Sequence, residues 1–157
     1  MRIKGLMIDP ITNMPIIILR DTVGESVLPI WVGIFEANAI ALELENIIPP
    51  RPMTHDLLRD LVKGMGATVD RISVTELKDN TFYALIHLTQ NGKTFEVDSR
   101  PSDAIALALR THSPIFVETA VIEAAKNIDP TEDAKDTERL KKWLETLDET
   151  ELGKQIH

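Results

Sequence analysis

Ala39-Ile40-Ala41-Leu42-Glu43-Leu44 and Ala104-Ile105-Ala106-Leu107-Ala108-Leu109 write one phrase twice, and reading both copies as helices of a duplicated unit decides the fold. An acidic residue precedes each copy, Glu36 and Asp103, and an Arg-Pro pair adjoins each, Arg51-Pro52 and Arg100-Pro101. Apolar residues run almost round both helices rather than along one stripe, so each requires cover on more than one side.

Ahead of the first copy, residues 2–8, 14–20 and 27–33 are short runs rich in Ile, Val, Leu and Met, parted by Asp9-Pro10 and by Asp21-Thr22-Val23-Gly24, which reads as three strands. A helix over 35–47 follows. Pro49-Pro50-Arg51-Pro52 stops it, because proline lacks an amide donor and turns its predecessor away from helical angles. Thr54 is placed to cap a second helix over 55–63, with Asp56 in its first turn and a stripe of Leu57, Leu58, Leu61, Val62 and Met65.

Three more strands are expected at 69–77, 82–89 and 93–99, the last two joined by Asn91-Gly92, a strong hairpin signal. Pro101 suits the first turn of the second repeat helix, with Ser99 or Ser102 as its cap. A short strand at 115–117 and a helix over 118–127 follow. The fold class is α+β: duplicated units of three strands and a helix, the helices largely buried and packed against sheet. Residues 1–128 form this domain. Residues 129–157 are a polar linker and an amphipathic helix that carries Leu140, Trp143, Leu144 and Leu147.

A chain of 157 residues with 43% apolar and 27% charged residues has enough material for a real core. It has no cysteine, which excludes disulfides, thiolate metal sites and a Cys nucleophile. No segment has the order of a signal peptide or the length of a membrane span, so cytoplasmic residence is expected. The net charge is −8, with 12 basic and 16 acidic groups in residues 1–128 and 5 and 9 in residues 129–157. Neither part has the basic excess that supplies non-specific affinity for nucleic acid, so a polyanion needs a local basic pocket or a bridging cation.

Two corners hold the candidate chemistry. In Asp98-Ser99-Arg100-Pro101-Ser102-Asp103 a strand ends and a buried helix begins, and Arg100 adds a planar donor for phosphate to the positive end of that helix. The competing reading is structural, with Asp98 paired to Arg100 and Ser102 or Asp103 capping. In Arg51-Pro52-Met53-Thr54-His55-Asp56, His55 is a natural acid-base group at neutral pH, and Asp56 either orients it or ligates a cation. Adjacent helical residues point about 100° apart, so the two need not share a target. Glu36 and Asp103 stand at matching places and are candidates to converge on one Mg²⁺ or Mn²⁺. No glycine-rich phosphate loop, nucleophile elbow or His-Glu-x-x-His motif is present.

Leu28-Pro29-Ile30-Trp31-Val32-Gly33 with Glu36-Ala37, then Arg51-Pro52-Met53-Thr54-His55-Asp56-Leu57-Leu58, then Asp98 to Ala108 together resemble the bifunctional nuclease family. The resemblance implies a nuclease acting on DNA and RNA and a tendency to form homo-oligomers. On that reading the catalytic candidates are His55, Asp56, Asp98 and Asp103, the phosphate-binding candidates are Arg51 and Arg100, and a divalent cation rests on Glu36, Asp98 and Asp103. The rival is a non-catalytic oligomeric binding or regulatory module whose polar corners only start helices and join subunits. It draws support from the acidic balance and from the scarcity of aromatic residues: four Phe, two Trp and one Tyr.

Overall fold

A computed structural model describes residues 1–126. Strands β1 (Arg2–Ile8), β2 (Pro15–Arg20) and β3 (Val27–Trp31) form an antiparallel meander in the order β1-β2-β3, and helix α1 (Ile34–Leu44) follows. After helix α2 (Thr54–Gly64) the theme recurs as β4 (Ala67–Lys78), β5 (Thr81–Gln90), β6 (Lys93–Ser99) and helix α3 (Pro101–Thr111). Strand β7 (Ile115–Val117) joins β4 in parallel, which gives a four-stranded sheet in the order β6-β5-β4-β7, and α4 (Thr119–Ala125) closes the described chain. The architecture is α+β, with helices packed against sheet.

Local chemistry accounts for the punctuation. Asn91 and Gly92 both take positive φ, 50° and 74°, as a tight hairpin between right-twisted strands requires, and Asp79 and Asn80 do the same between β4 and β5 at 49° and 57°. The turn after β1 is organised by Asp9, whose carboxylate accepts the Ile11 amide (2.9 Å) and the Thr12 hydroxyl (2.7 Å). β2 is central in its sheet, and Ile16, Ile17, Ile18 and Leu19 are all buried.

Helix α3 is the core of the molecule. Ala104, Ile105, Ala106, Leu107 and Ala108 are fully buried between α1, α2, β4 and β5. The expected all-round cover is met there by two helices and a sheet. α1 differs from its repeat partner. It packs by one side on α3 and β2, burying Ala37, Ala39 and Ile40, while Phe35 remains 88% exposed. Its apolar circumference therefore overstates its burial.

α2 departs further from expectation. Of the apolar stripe, Leu57, Leu58, Leu61 and Met65 are exposed and Val62 is half-buried, whereas His55 and Asp56 are buried. The reason is tertiary: both polar residues find charged partners on α3, described below. The caps also differ. Thr54 is the first helical residue rather than the cap, and the Asp56 carboxylate instead accepts the Met53 amide at 2.9 Å. Neither Ser99 nor Ser102 caps α3; Arg100 holds the cap position, and the Ser99 hydroxyl donates to its carbonyl. The terminal amphipathic helix and the boundary after residue 128 lie outside the described residues.

Candidate functional site

Three helices begin at one place. Glu36 is the third residue of α1, His55 the second of α2 and Asp103 the third of α3, while Arg100 stands immediately before α3. Arg100 Nη2 donates to Glu36 Oε1 at 2.7 Å, and Arg100 Nε donates to Asp103 Oδ2 at 2.7 Å. The other oxygen of Asp103 lies 2.9 Å from His55 Nε2. Glu36, Arg100, Asp103 and His55 thus form one hydrogen-bonded chain.

Burial grades along this chain. The His55 imidazole and the Glu36 carboxylate are largely covered, whereas the Arg100 side chain is 66% exposed. A guanidinium has five N–H groups, and two are spent on carboxylates, which leaves three on a side chain that is mostly exposed. Burial works to raise the Asp103 carboxyl, but hydrogen bonds from Arg100 and then His55 outweigh it and hold the group below the ordinary carboxylate range. Hydrogen bonds from Asp103 and then Glu36 lift the Arg100 guanidinium above its already high value. With Asp103 ionised, His55 Nε2 carries the proton it shares, and Nδ1 is left as the basic nitrogen. The four groups together carry −1 when His55 is neutral and 0 when it is protonated.

Gly33, just before α1, leaves the room that Glu36 uses. A methyl group there would overlap the Glu36 carboxylate. Its φ of −70° is ordinary, so close approach rather than backbone freedom explains the glycine.

Asp56 has a different target. Its Oδ1 accepts Arg110 Nε at 2.7 Å, while Arg110 Nη1 donates to Ala106 O at 2.9 Å and Nη2 to Ala39 O at 3.0 Å. Burial again pushes the carboxyl up, and the Met53 amide and Arg110 more than offset it, so Asp56 titrates below the ordinary range. This buried pair binds α1, α2 and α3 together. Arg110 went unsuspected in the sequence, although a lone arginine at the end of an all-apolar helix was the available signal.

Asp98 is not part of the cluster. On β6 it pairs in register with Leu85, while its neighbour Ser99 pairs with the core residue Ala84, so Asp98 faces the side of the sheet opposite to Ser99 and is exposed. The expected pairing of Asp98 with Arg100 is replaced by Glu36 and Asp103. Arg51 lies elsewhere too, lining a cleft of about 310 Å³ with Glu43, Asp56 and Arg59.

The carboxylates as placed do not fit the expected cation site. Among the described residues no group of three or more His, Cys, Asp or Glu is disposed to hold a metal ion. Glu36 and Asp103 do converge on a cation, but it is the Arg100 guanidinium.

A duplicated α+β scaffold thus sets a histidine and an arginine, joined through Asp103, at the junction of three helix starts. Residues 17–129, more than half of the chain, match the family model for the bifunctional nuclease domain. The chain belongs to that family. An uncharacterized protein of Mycobacterium tuberculosis is 39% identical over 153 residues, which span 94% of this chain and 92% of that protein. Bifunctional nuclease 1 of Arabidopsis thaliana is 31% identical over 107 residues, 66% of this chain and 33% of that protein. Bifunctional nuclease 1 of Oryza sativa subsp. indica is 27% identical over 128 residues, 78% of this chain and 39% of that protein. The plant relatives are thus much longer chains.

Proposed function

We propose that this protein is a nuclease that hydrolyses phosphodiester bonds of DNA and RNA, acting in the cytoplasm. The observation that carries this reading is the unbroken connection His55, Asp103, Arg100 at the meeting of three helix starts. Arg100 offers its remaining N–H groups to the phosphate, and Asp103 holds the imidazole so that Nδ1 is directed to proton transfer. His55 takes a proton from water as its oxygen attacks phosphorus. The P–O bond to the leaving strand then breaks, and the departing oxygen takes up the proton. Glu36 positions Arg100 and does not itself touch the substrate.

The test is cleavage of labelled single-stranded and duplex DNA and RNA by highly purified protein, in Mg²⁺, in Mn²⁺ and in chelator. The His55→Ala and Arg100→Ala proteins run beside the wild type. Loss of cleavage in both variants supports the assignment. Equal cleavage by all three proteins would point to a contaminating enzyme and remove it.

The oligomeric expectation has its own support. α2 turns Leu57, Leu58, Leu61 and Met65 to solvent on one helical face, and exposed apolar patches of this kind mark contact sites. We propose that copies of the chain associate through this face. Light scattering on the full chain should give a mass above one subunit, and Leu61→Glu should lower it; a monomeric wild type would end the proposal. Among the described residues no helix is long and apolar enough to cross a membrane.

A further inference from the structure

We propose that the cleft beside Arg100 is a nucleobase subsite, which takes one unpaired base of the strand whose phosphate lies on Arg100. The inference rests on the nuclease reading only in treating Arg100 as the phosphate holder. The cleft has a volume of about 340 Å³ and is lined by Met14, Trp31, Asn80, Thr81, Phe82 and Arg100, among others. That is the small end of the range for ligand pockets, about 300 to 1,000 Å³.

The composition of the chain argues against an extended stacking platform, since it has only seven aromatic residues. Tertiary structure gathers two of them, Trp31 and Phe82, at one cleft next to the exposed guanidinium. An aromatic surface beside an arginine is the combination that holds single strands, because every base has a π-face to stack. Trp31 is set in place before any ligand arrives. Its Nε1 donates to Asp9 Oδ2 at 2.8 Å, and Asp9, only 1% exposed, is held by the Ile11 amide and the Thr12 hydroxyl. Asn80, at φ 57° in the β4–β5 turn, and Thr81 supply amide and hydroxyl groups suited to the polar edge of a base.

Charge favours such a subsite. The cluster of Glu36, Arg100, Asp103 and His55 carries −1 with His55 neutral, which is a poor receptor for phosphate alone. Contact with the base supplies the attraction that the phosphate lacks. Within a duplex both faces of a base are covered by its stacking neighbours, so only an unpaired nucleotide can enter.

The experiment uses the full chain carrying Trp143→Phe, so that Trp31 is the sole tryptophan, titrated with adenosine 5′-monophosphate, ribose 5-phosphate and inorganic phosphate. Saturable quenching of Trp31 by the nucleotide, at least about tenfold tighter than either control, is expected. Asn80→Ala with Thr81→Ala should weaken that binding about fivefold or more. A short unpaired oligonucleotide should displace the mononucleotide, and a blunt-ended duplex of two fully paired strands should not. In the unaltered protein, amide resonances of residues 80–82, Arg100 and Ser102 should move with the nucleotide, which guards against damage from the substitution.

Equal binding of ribose 5-phosphate and the nucleotide, or resonance changes confined to other regions, overturns the proposal. Nucleotide binding at these residues without cleavage of any substrate would sink the nuclease reading and keep the subsite. Cleavage without nucleotide binding or strand preference would do the reverse.

Discussion

Glu36 and Asp103, the third residues of the two repeat helices, are both bound by Arg100, one at Nη2 and the other at Nε. Two acids at the same place in their helices thus share a single arginine. Only the second repeat supplies that base.

Removing the shared cation separates chemistry from stability. Arg100→Ala should reduce kcat/KM for nucleic acid cleavage by about 100-fold or more. Because Arg100 is mostly exposed, its ion pairs contribute about 0 to 1 kcal/mol, and the Tm should move by only a few degrees. A collapse of Tm comparable to the loss of activity would show that the residue is structural.

Asp103→Asn tests the partner of His55 and has a pH signature. The folded carboxyl is depressed below its ordinary value near 3.8. Its contribution is therefore complete above that pH and is lost as pH falls through the lower folded value. Urea midpoints should place the variant below the wild type at pH 7, with the gap narrowing toward pH 3. A gap that widens on acidification would contradict the assigned ionisation.

The Arg110 clamp should behave as a buried pair. Arg110→Ala leaves Asp56 buried without its partner and should cost about 3 to 5 kcal/mol by urea denaturation. Arg110→Lys should fail nearly as badly, since an ammonium lacks the planar fork that reaches Asp56, Ala106 and Ala39 together.

Asp98→Asn is the contrasting control. Because the hydrogen bonds of the cluster run between Glu36, Arg100, Asp103 and His55 without it, cleavage should stay within about twofold of wild type, given that interactions unrelated to the transition state do not change the rate. A tenfold loss would move the chemistry to the outer face of the sheet.

Gly33→Ala probes positioning without touching a charged group. The added methyl displaces the Glu36 carboxylate and so loosens Arg100, and misplacement of this order costs about 10- to 100-fold in rate. The ordinary φ at this position predicts a folded protein by circular dichroism. Unchanged kinetics would show that Glu36 does not position Arg100.

Much of the fold was legible because its causes are local. Alternation in 82–89, the Asn91-Gly92 turn and Pro101 at a helix start act over a few residues, and the strands and helices lie where these place them. The inward face of α2 was not legible. A stripe of four leucine and methionine residues outweighs His55 and Asp56 in any reading of periodicity, yet the partners that bury those two residues lie 48 and 54 positions away. For the same reason the sequence joined Asp98 to Arg100 as neighbours, while packing gives Arg100 the carboxylates of Asp103 and, from 64 positions away, Glu36.

The amino-acid sequence by itself determined the elements, their duplicated order, the burial of the Ala104–Ala108 stretch and the kinds of residue open to chemistry, because propensity, turn geometry and hydrophobic spacing are short-range. Only the tertiary structure decided which acid meets which base. Ion pairs and clefts form between side chains that are distant along the chain, and their geometry is fixed by how helices and sheet pack.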